Sequence, residues 1–278
     1  MPHSPAEPII SSDCLTQGAL DRYLATLDAA APADGSAPQG IHWCLCLPDA
    51  PTAGLGPDGH PPVGDDLPEV RELPRRMWAS SDVRFHALIR PGAAIQRHSA
   101  VTAIKQCTGK TGPLVFVTWH HRTLADGVPC VTEDQHLVYR APSQPGRSAA
   151  PVQVQEPDDD RDWTWRRSLT PTGPLLFRFS ALTFNAHRIH YDRPYAQGEE
   201  GYPDLVVHGP LMATLLLDLV QREMGHNSLA HFSFRAVAPA FVEQPLQLLG
   251  RRDGDAVELR VRGAAGQDHV TATATLRA

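Results

Sequence analysis

The sequence predicts an α+β protein made of two repeats, each with a helix packed on an antiparallel β-sheet. Three observations carry this. Long alternating segments occur in two sets, a broadly apolar helix precedes the second set, and the sets can be laid over each other. Phe85-His86-Ala87 matches Phe234-Arg235-Ala236 at an offset of 149 residues, from Phe85 to Phe234, with Pro91 and Pro239 soon after. One helix against one face of an antiparallel sheet is the matching layer architecture.

The elements follow in chain order. DCLTQGALDRYLATLDAA (13–30) is an amphipathic helix, and HWCLCL (42–47) is a short apolar piece after it. PDAPTAGLGPDGHPPVGDD (48–66) is crowded with turn formers and reads as a long irregular connection. A loop of that length inside a compact domain is usually functional or mobile. DVRFHALI (82–89) alternates as a half-buried strand does. SAVTAIKQCTG, GPLVFVTWHHRTL and VPCVTEDQHLVYR follow, separated by GKTG and ADG turns, so the expected arrangement is a meander. APSQPGRSAAPVQVQEPDDDRDW (141–163) is polar, Pro-rich and acidic, a linker composition, and sets the divisions at 1–145, 146–165 and 166–278.

In the second repeat, Pro210 sits where a first-turn proline is tolerated. Leu211, Leu215 and Leu219 recur every four positions, with Leu216, Leu217 and Val220 beside them. So broad an apolar surface belongs to a helix buried on most sides, and Gly225 is its natural stop. The end of the chain, from HFSFRAVAPAFV through QDHVTATATLRA, repeats the strand scheme.

Composition narrows the function classes. At 278 residues the chain suits one large domain or two small ones. The net charge of −6 and the lack of a basic aromatic-rich motif argue against a nucleic-acid surface. No apolar run approaches a membrane span, and LMATLLLDLV (211–220) is the longest. The start MPHSPAEPII lacks the pattern of a secretory signal. Cys14, Cys44, Cys46, Cys107 and Cys130 are odd in number with no CxxC pair, which speaks against a disulfide framework or zinc knuckle. Reduced thiols in the cytoplasm are the expectation.

The chemistry concentrates in FNAHRIHYDRPYA (184–196), shortly before the apolar helix that opens after His208-Gly209. A helix N-terminus offers free N–H groups and partial positive charge, able to stabilise an oxygen that gains negative charge. Glycine at 209 lets a ligand approach the backbone closely. Imidazole titrates near neutral pH and can carry a proton. His187 and His190 lack a third ligand at a familiar metal spacing, so no metal is expected.

This segment resembles the signature of MaoC-like (R)-specific enoyl-CoA hydratases and dehydratases, in which a D-x-N-P-x-H-x-D pattern precedes an H-G that opens a central helix. N-x-H-R-I-H-Y-D is similar to a narrower branch containing hydroxyacyl-thioester dehydratase type 2, mesaconyl-C4-CoA hydratase and itaconyl-CoA hydratase. LPRRMWASSDVRFH (73–86) and TGKTGPLVFVTWHH (108–121) resemble the N-terminal domain of such chains.

The resemblance implies a double hotdog fold, with the catalytic set on the C-terminal hotdog and an incomplete set on the N-terminal one. It implies reversible addition of water to a 2-enoyl-CoA thioester. His190 falls on the catalytic histidine, Gly209 on the backbone oxyanion donor, and Asn185 on the family's aspartate, a departure that shifts the acid–base work toward His190. Tyr191, Asp192, His187 and His208 are expected around them, Asp192 either orienting His190 or capping a turn. Arg75, Arg76 and Arg188 are candidates for binding a substrate carboxylate. No cofactor is required, the acyl-CoA is the substrate, and a homodimer is the expected assembly, although two hotdogs can already pair within one chain. The alternatives are a 3-hydroxyacyl-thioester dehydratase of fatty-acid metabolism, a hotdog thioesterase and a non-catalytic acyl-thioester-binding protein.

Overall fold

The computed structural model describes residues 7–62, 67–109, 112–141 and 163–277. Most of the expected linker, 142–162, lies outside the described residues. In the first half β1 (Ile9–Cys14) and α1 (Gln17–Leu27) precede β2 (Arg75–Phe85), β3 (Ala94–Gly109), β4 (Gly112–Ala125) and β5 (Val128–Arg140). In the second half β6 (Trp165–Leu169), α2 (Gly173–Leu182), α3 (Arg193–Gly198) and α4 (Gly209–Met224) precede β7 (Leu229–Ala236), β8 (Leu246–Asp253), β9 (Ala256–Gly263) and β10 (Asp268–Leu276).

The ten strands form one sheet in the order β1-β3-β4-β5-β2-β7-β10-β9-β8-β6. Each half repeats the same internal order, and the halves join edge to edge through β2 and β7. There Val83 lies opposite Phe232 in antiparallel register. Those positions are 149 residues apart, so a residue faces its own counterpart and an approximate two-fold axis passes through the pair. The sequence offset and the strand register therefore describe one duplication.

Three sequence expectations are corrected. The strand read over 82–89 spans Arg75–Phe85 instead. It does not open a meander: β3, β4 and β5 pair in chain order, but residues 86–93 carry the chain across so that β2 pairs with β5 and β7. The edge strands β1 and β6 are absent from the sequence reading because neither has a clear period of two. β1 has no buried position, and β6 begins at Trp165, the last residue assigned to the linker.

The core centres on α4. Every residue from Leu211 to Gln221 is buried, and the helix packs on β6, β8, β9 and β10 of its own half and on β2 of the other. A helix enclosed in this way has no solvent face for its polar residues, and Asp218 is resolved by pairing. It accepts from Arg222 Nε at 2.7 Å and from Arg167 on β6. Both arginines also reach the end of α1, donating to the carbonyls of Asp28 at 2.7 Å and Leu27 at 3.3 Å. One buried carboxylate thus ties α4 to an element of the first half. Between α1 and β2, the interval in which the second half places α4, the described residues of the first half form only 3₁₀ turns, the first of them Ile41–Cys44. Trp43 Nε1 from this turn donates to Glu133 on β5 at 3.1 Å, and Ser81 Oγ on β2 donates to it at 2.6 Å. A second, smaller apolar cluster joins Leu67, Val70 and Leu73 to β4 and β5.

All five cysteines are free thiols, and burial pushes Cys44 up to about 12, which leaves it inert as a nucleophile. No helix among the described residues is long and apolar enough to cross a membrane. If α4 is the element around which the core closes, Leu216→Ala, at a fully buried position, should lower unfolding stability by about 2–5 kcal/mol. Chemical denaturation with an unchanged m-value checks this.

Candidate active site

The segment between α2 and α4 is shaped by short-range polar contacts. Phe184 takes a left-handed conformation (φ 47°) and turns the chain out of α2. Asn185 then closes an Asx turn, its Oδ1 accepting from His187 N at 3.0 Å. Arg188–His190 form a 3₁₀ turn. Asp192 caps α3 by accepting from Tyr195 N at 3.2 Å, and takes Arg188 Nε and Nη2 at 3.0 and 2.8 Å. The Arg188 guanidinium stacks on Tyr195, 4.0 Å from its ring centre. Tyr191 donates to the Ala186 carbonyl at 3.1 Å with its ring half exposed.

His190 is buried and held from behind. Its Nδ1 donates to the Val206 carbonyl at 2.7 Å, and since a carbonyl can only accept, the Nε2 lone pair is left free. Burial is the main reason the ring titrates far below its ordinary 6.5, at about 4. His190 is therefore a neutral imidazole with one open acceptor at neutral pH, the state a general base needs. His208 stacks on it with ring centres 3.6 Å apart and bonds through Nε2 to Ser180 Oγ at 2.9 Å. Burial holds His208 well below its usual value too. Its Nδ1 is buried without a partner among the described residues.

The geometry assigns Asp192 to capping and to the Arg188 pair. The group that orients His190 is the Val206 carbonyl, which no sequence motif marks. Asn185 carries its side chain on the same turn, with Oδ1 taken by the backbone.

Gly209 opens α4, where the first-turn N–H groups have no intrahelical acceptor. A Cβ at 209 would meet only the Trp78 carbonyl of β2, at 3.9 Å. The floor of the site is thus a helix N-terminus from one half beside a strand of the other. Of the three arginines, Arg75 is paired with Glu200 (Nε to Oε2, 3.0 Å) and bonds to the Glu199 carbonyl at 2.9 Å. Arg188 is paired with Asp192. Arg76 has no carboxylate partner among the described residues, stands opposite Tyr139 of β5, and its charge acts on His60 and His187.

His60 and Asp58 were not singled out in the sequence, and both come from the long loop of the first half. The His60 ring lies 4.2 Å from that of His187. Asp58 accepts from His60 N at 3.0 Å and meets His60 Nδ1 at 3.2 Å. The loop is pinned at 57–60: Arg188 N donates to the Asp58 carbonyl at 2.9 Å and Arg188 Nη1 to the Pro57 carbonyl at 2.8 Å. Gly59 makes this approach possible. Its φ is +91°, and a Cβ there would fall 1.9 Å from the Ala186 carbonyl oxygen.

Asp58, His60 and His187 also place one potential ligand atom each within 4.8 Å of one another. The third ligand missing from the sequence reading is supplied by a loop over a hundred residues away. Burial would raise the Asp58 carboxyl, but its hydrogen bonds from His60 outweigh this and bring it to about 2. Burial, reinforced by the neighbouring imidazoles, brings His187 down to about 2.

The comparisons with known proteins show the family and the fold. The sequence model of the hydroxyacyl-thioester dehydratase type 2 family matches residues 40–242. A mesaconyl-C(4)-CoA hydratase of Chloroflexus aurantiacus is 42% identical over 271 residues, which cover 97% of this chain and 95% of that protein. The mitochondrial hydroxyacyl-thioester dehydratase type 2 of Schizosaccharomyces pombe is 28% identical, covering 86% of this chain and 89% of its own. Among solved structures, a MaoC-like dehydratase from Phytophthora capsici superposes with a TM-score of 0.72 at 14% identity, covering 98% of this chain and 96% of that one. The shared architecture is the double hotdog. With the family model spanning most of its length and a relative 42% identical along nearly all of it, this chain belongs to the hydroxyacyl-thioester dehydratase type 2 family.

Proposed function

We propose that the protein is a hydro-lyase that adds water reversibly to the C=C bond of a 2-enoyl-CoA thioester, preferring a short branched dicarboxylyl-CoA such as mesaconyl-C4-CoA or itaconyl-CoA. The observation that carries the reaction type is the placement of a neutral, backbone-anchored His190 before the first turn of α4. The relative 42% identical to this chain supports the acyl class.

The residues permit a balanced step. His190 Nε2 takes a proton from water as the water oxygen attacks Cβ. The C=C electron pair moves toward the thioester oxygen, whose developing charge the N–H groups opening α4, Gly209 first, stabilise. The proton on His190 then passes to Cα, and the imidazole returns to its neutral form. Oxygen and hydrogen are fully accounted for by one water and one base, and dehydration is the reverse. Arg76 is the cation offered to a substrate carboxylate, since Arg75 and Arg188 already hold Glu200 and Asp192. A 3-hydroxyacyl-thioester dehydratase would use the same groups without needing Arg76. A homodimer of chains is the proposed assembly and the cytoplasm the proposed compartment.

Three outcomes test the reading. His190→Ala should lower hydration of mesaconyl-C4-CoA by about 10²–10⁴-fold, with binding of an unreactive acyl-CoA analogue retained in calorimetry. A near-wild-type rate in that variant overturns the assignment. The acid limb of kcat/KM should lie near 4 rather than 6.5, because the base form is lost only as pH falls through the depressed value. A limb centred at 6.5 would mean that His190 is not the titrating base. Arg76→Met should raise KM for mesaconyl-C4-CoA by about tenfold or more while leaving crotonyl-CoA nearly unchanged, the signature of a lost charge-assisted contact. Equal effects on both substrates would remove Arg76 from carboxylate recognition.

A further inference from the structure

The turn that carries His190 holds no free carboxylate. Asn185 has its oxygen in an Asx turn, and Asp192 is taken by Arg188 and the Tyr195 N–H. A water that attacks Cβ needs a second hold besides the base, because its remaining hydrogen must point away from the carbon. Hydrogen-bonding capacity for this arrives from the other half of the chain. Asp58 fixes His60 through both its backbone N–H and Nδ1, which leaves His60 Nε2 as a lone-pair acceptor. The His60 ring lies against His187, and His187 stands edge-on to His190 with ring centres 5.6 Å apart. Asp58, His60, His187 and His190 thus lie side by side, the first two joined by hydrogen bonds and the rings by packing.

The construction of the loop points to a purpose. Two hydrogen bonds from Arg188 clamp 57–58 onto the turn, and only a glycine fits at 59. The same three groups could be read as cation ligands. Against that, both Asp58 oxygens already accept from His60, and the charge of Arg76 bears on both imidazoles.

We propose that His187 is a second catalytic imidazole that anchors the reacting water against His190, and that Asp58 and His60 are positioning residues delivered by the first half to orient it. The inference rests on the hydratase reading. In the step above, His187 accepts a hydrogen bond from the water hydrogen that stays on the product hydroxyl. It gives up and gains no proton, which suits a ring kept neutral by burial and by its neighbours.

The test uses the full-length chain with mesaconyl-C4-CoA as substrate. His60→Phe should lower kcat by about 10²-fold, with KM staying within about threefold and an unchanged cooperative melt. Adding Asn185→Asp in that background returns a carboxylate to the turn itself, and should recover about tenfold or more of the lost rate, because a carboxylate oxygen can take the water hydrogen directly. A His60→Phe rate close to wild type overturns the proposal. So does a loss that appears wholly in KM, or one that accompanies a collapsed melt and is not rescued. Metal analysis of the purified protein is run in parallel: stoichiometric metal, with activity lost to a chelator and restored by the metal alone, would replace the water anchor by a cation site. Wild-type protein that hydrates no enoyl-CoA overturns the parent reading, an outcome distinct from active wild type with a neutral His60→Phe.

Discussion

The burial of α4 is the constraint on which the rest depends. Its eleven-residue stretch from Leu211 to Gln221 has no solvent face, so the helix cannot exist until strands enclose it. Its own sheet supplies β6, β8, β9 and β10, and the remaining cover includes β2 from the other repeat. The joining of two repeats into one sheet is therefore part of how the second repeat completes its core. The one carboxylate in that stretch, Asp218, shows the same dependence. It is held by two arginines that also bind the last carbonyls of α1. Removing either partner of such a buried pair leaves a charge with no water to receive it.

Enclosure also creates the chemistry. A helix buried along its length presents its N-terminus, with unsatisfied N–H groups, at the wall between the two repeats. Trp78 of β2 stands on one side of Gly209, and the turn bearing His190 stands on the other in sequence. The low dielectric that makes α4 a good core helix depresses the nearby imidazoles. His190 titrates at about 4 and His187 at about 2, and His208 is held well below its usual value. The site thus holds three neutral imidazoles at neutral pH.

The two repeats have divided the work. The second keeps the long helix and the histidine turn. Among its described residues the first has only 3₁₀ turns between α1 and β2, and Trp43 of one of them bonds, with Ser81 of β2, to the buried Glu133. Burial alone would raise the Glu133 carboxyl, but the nearby His42 and His121 imidazoles and the Ser81 hydroxyl hold it below its usual value. Relieved of a central helix, the first repeat contributes a long loop, and that loop crosses to the second repeat's turn at Asp58–His60.

Much of this was legible in the chain itself. Leu211, Leu215 and Leu219 mark the buried helix, the alternation marks the inner strands, and the 149-residue offset marks the duplication whose axis passes between Val83 and Phe232. His190 and Gly209 stand out because proton carriers and helix starts are local features, written in neighbouring residues. What the tertiary structure decided is everything that depends on a partner distant in sequence. β1 has no buried position, and β6, W-R-R-S-L, shows no apolar alternation in its residues although its burial alternates, so only pairing defines them. Asp192, a plausible partner for His190, is claimed by Arg188, while the Val206 carbonyl orients the base. Asp58 and His60 sit in a Pro- and Gly-rich stretch whose composition says only that it turns. Their place beside His187 follows from a glycine that lets two backbones touch and from an arginine over a hundred residues away, and contacts of that kind exist only once the chain has closed on itself.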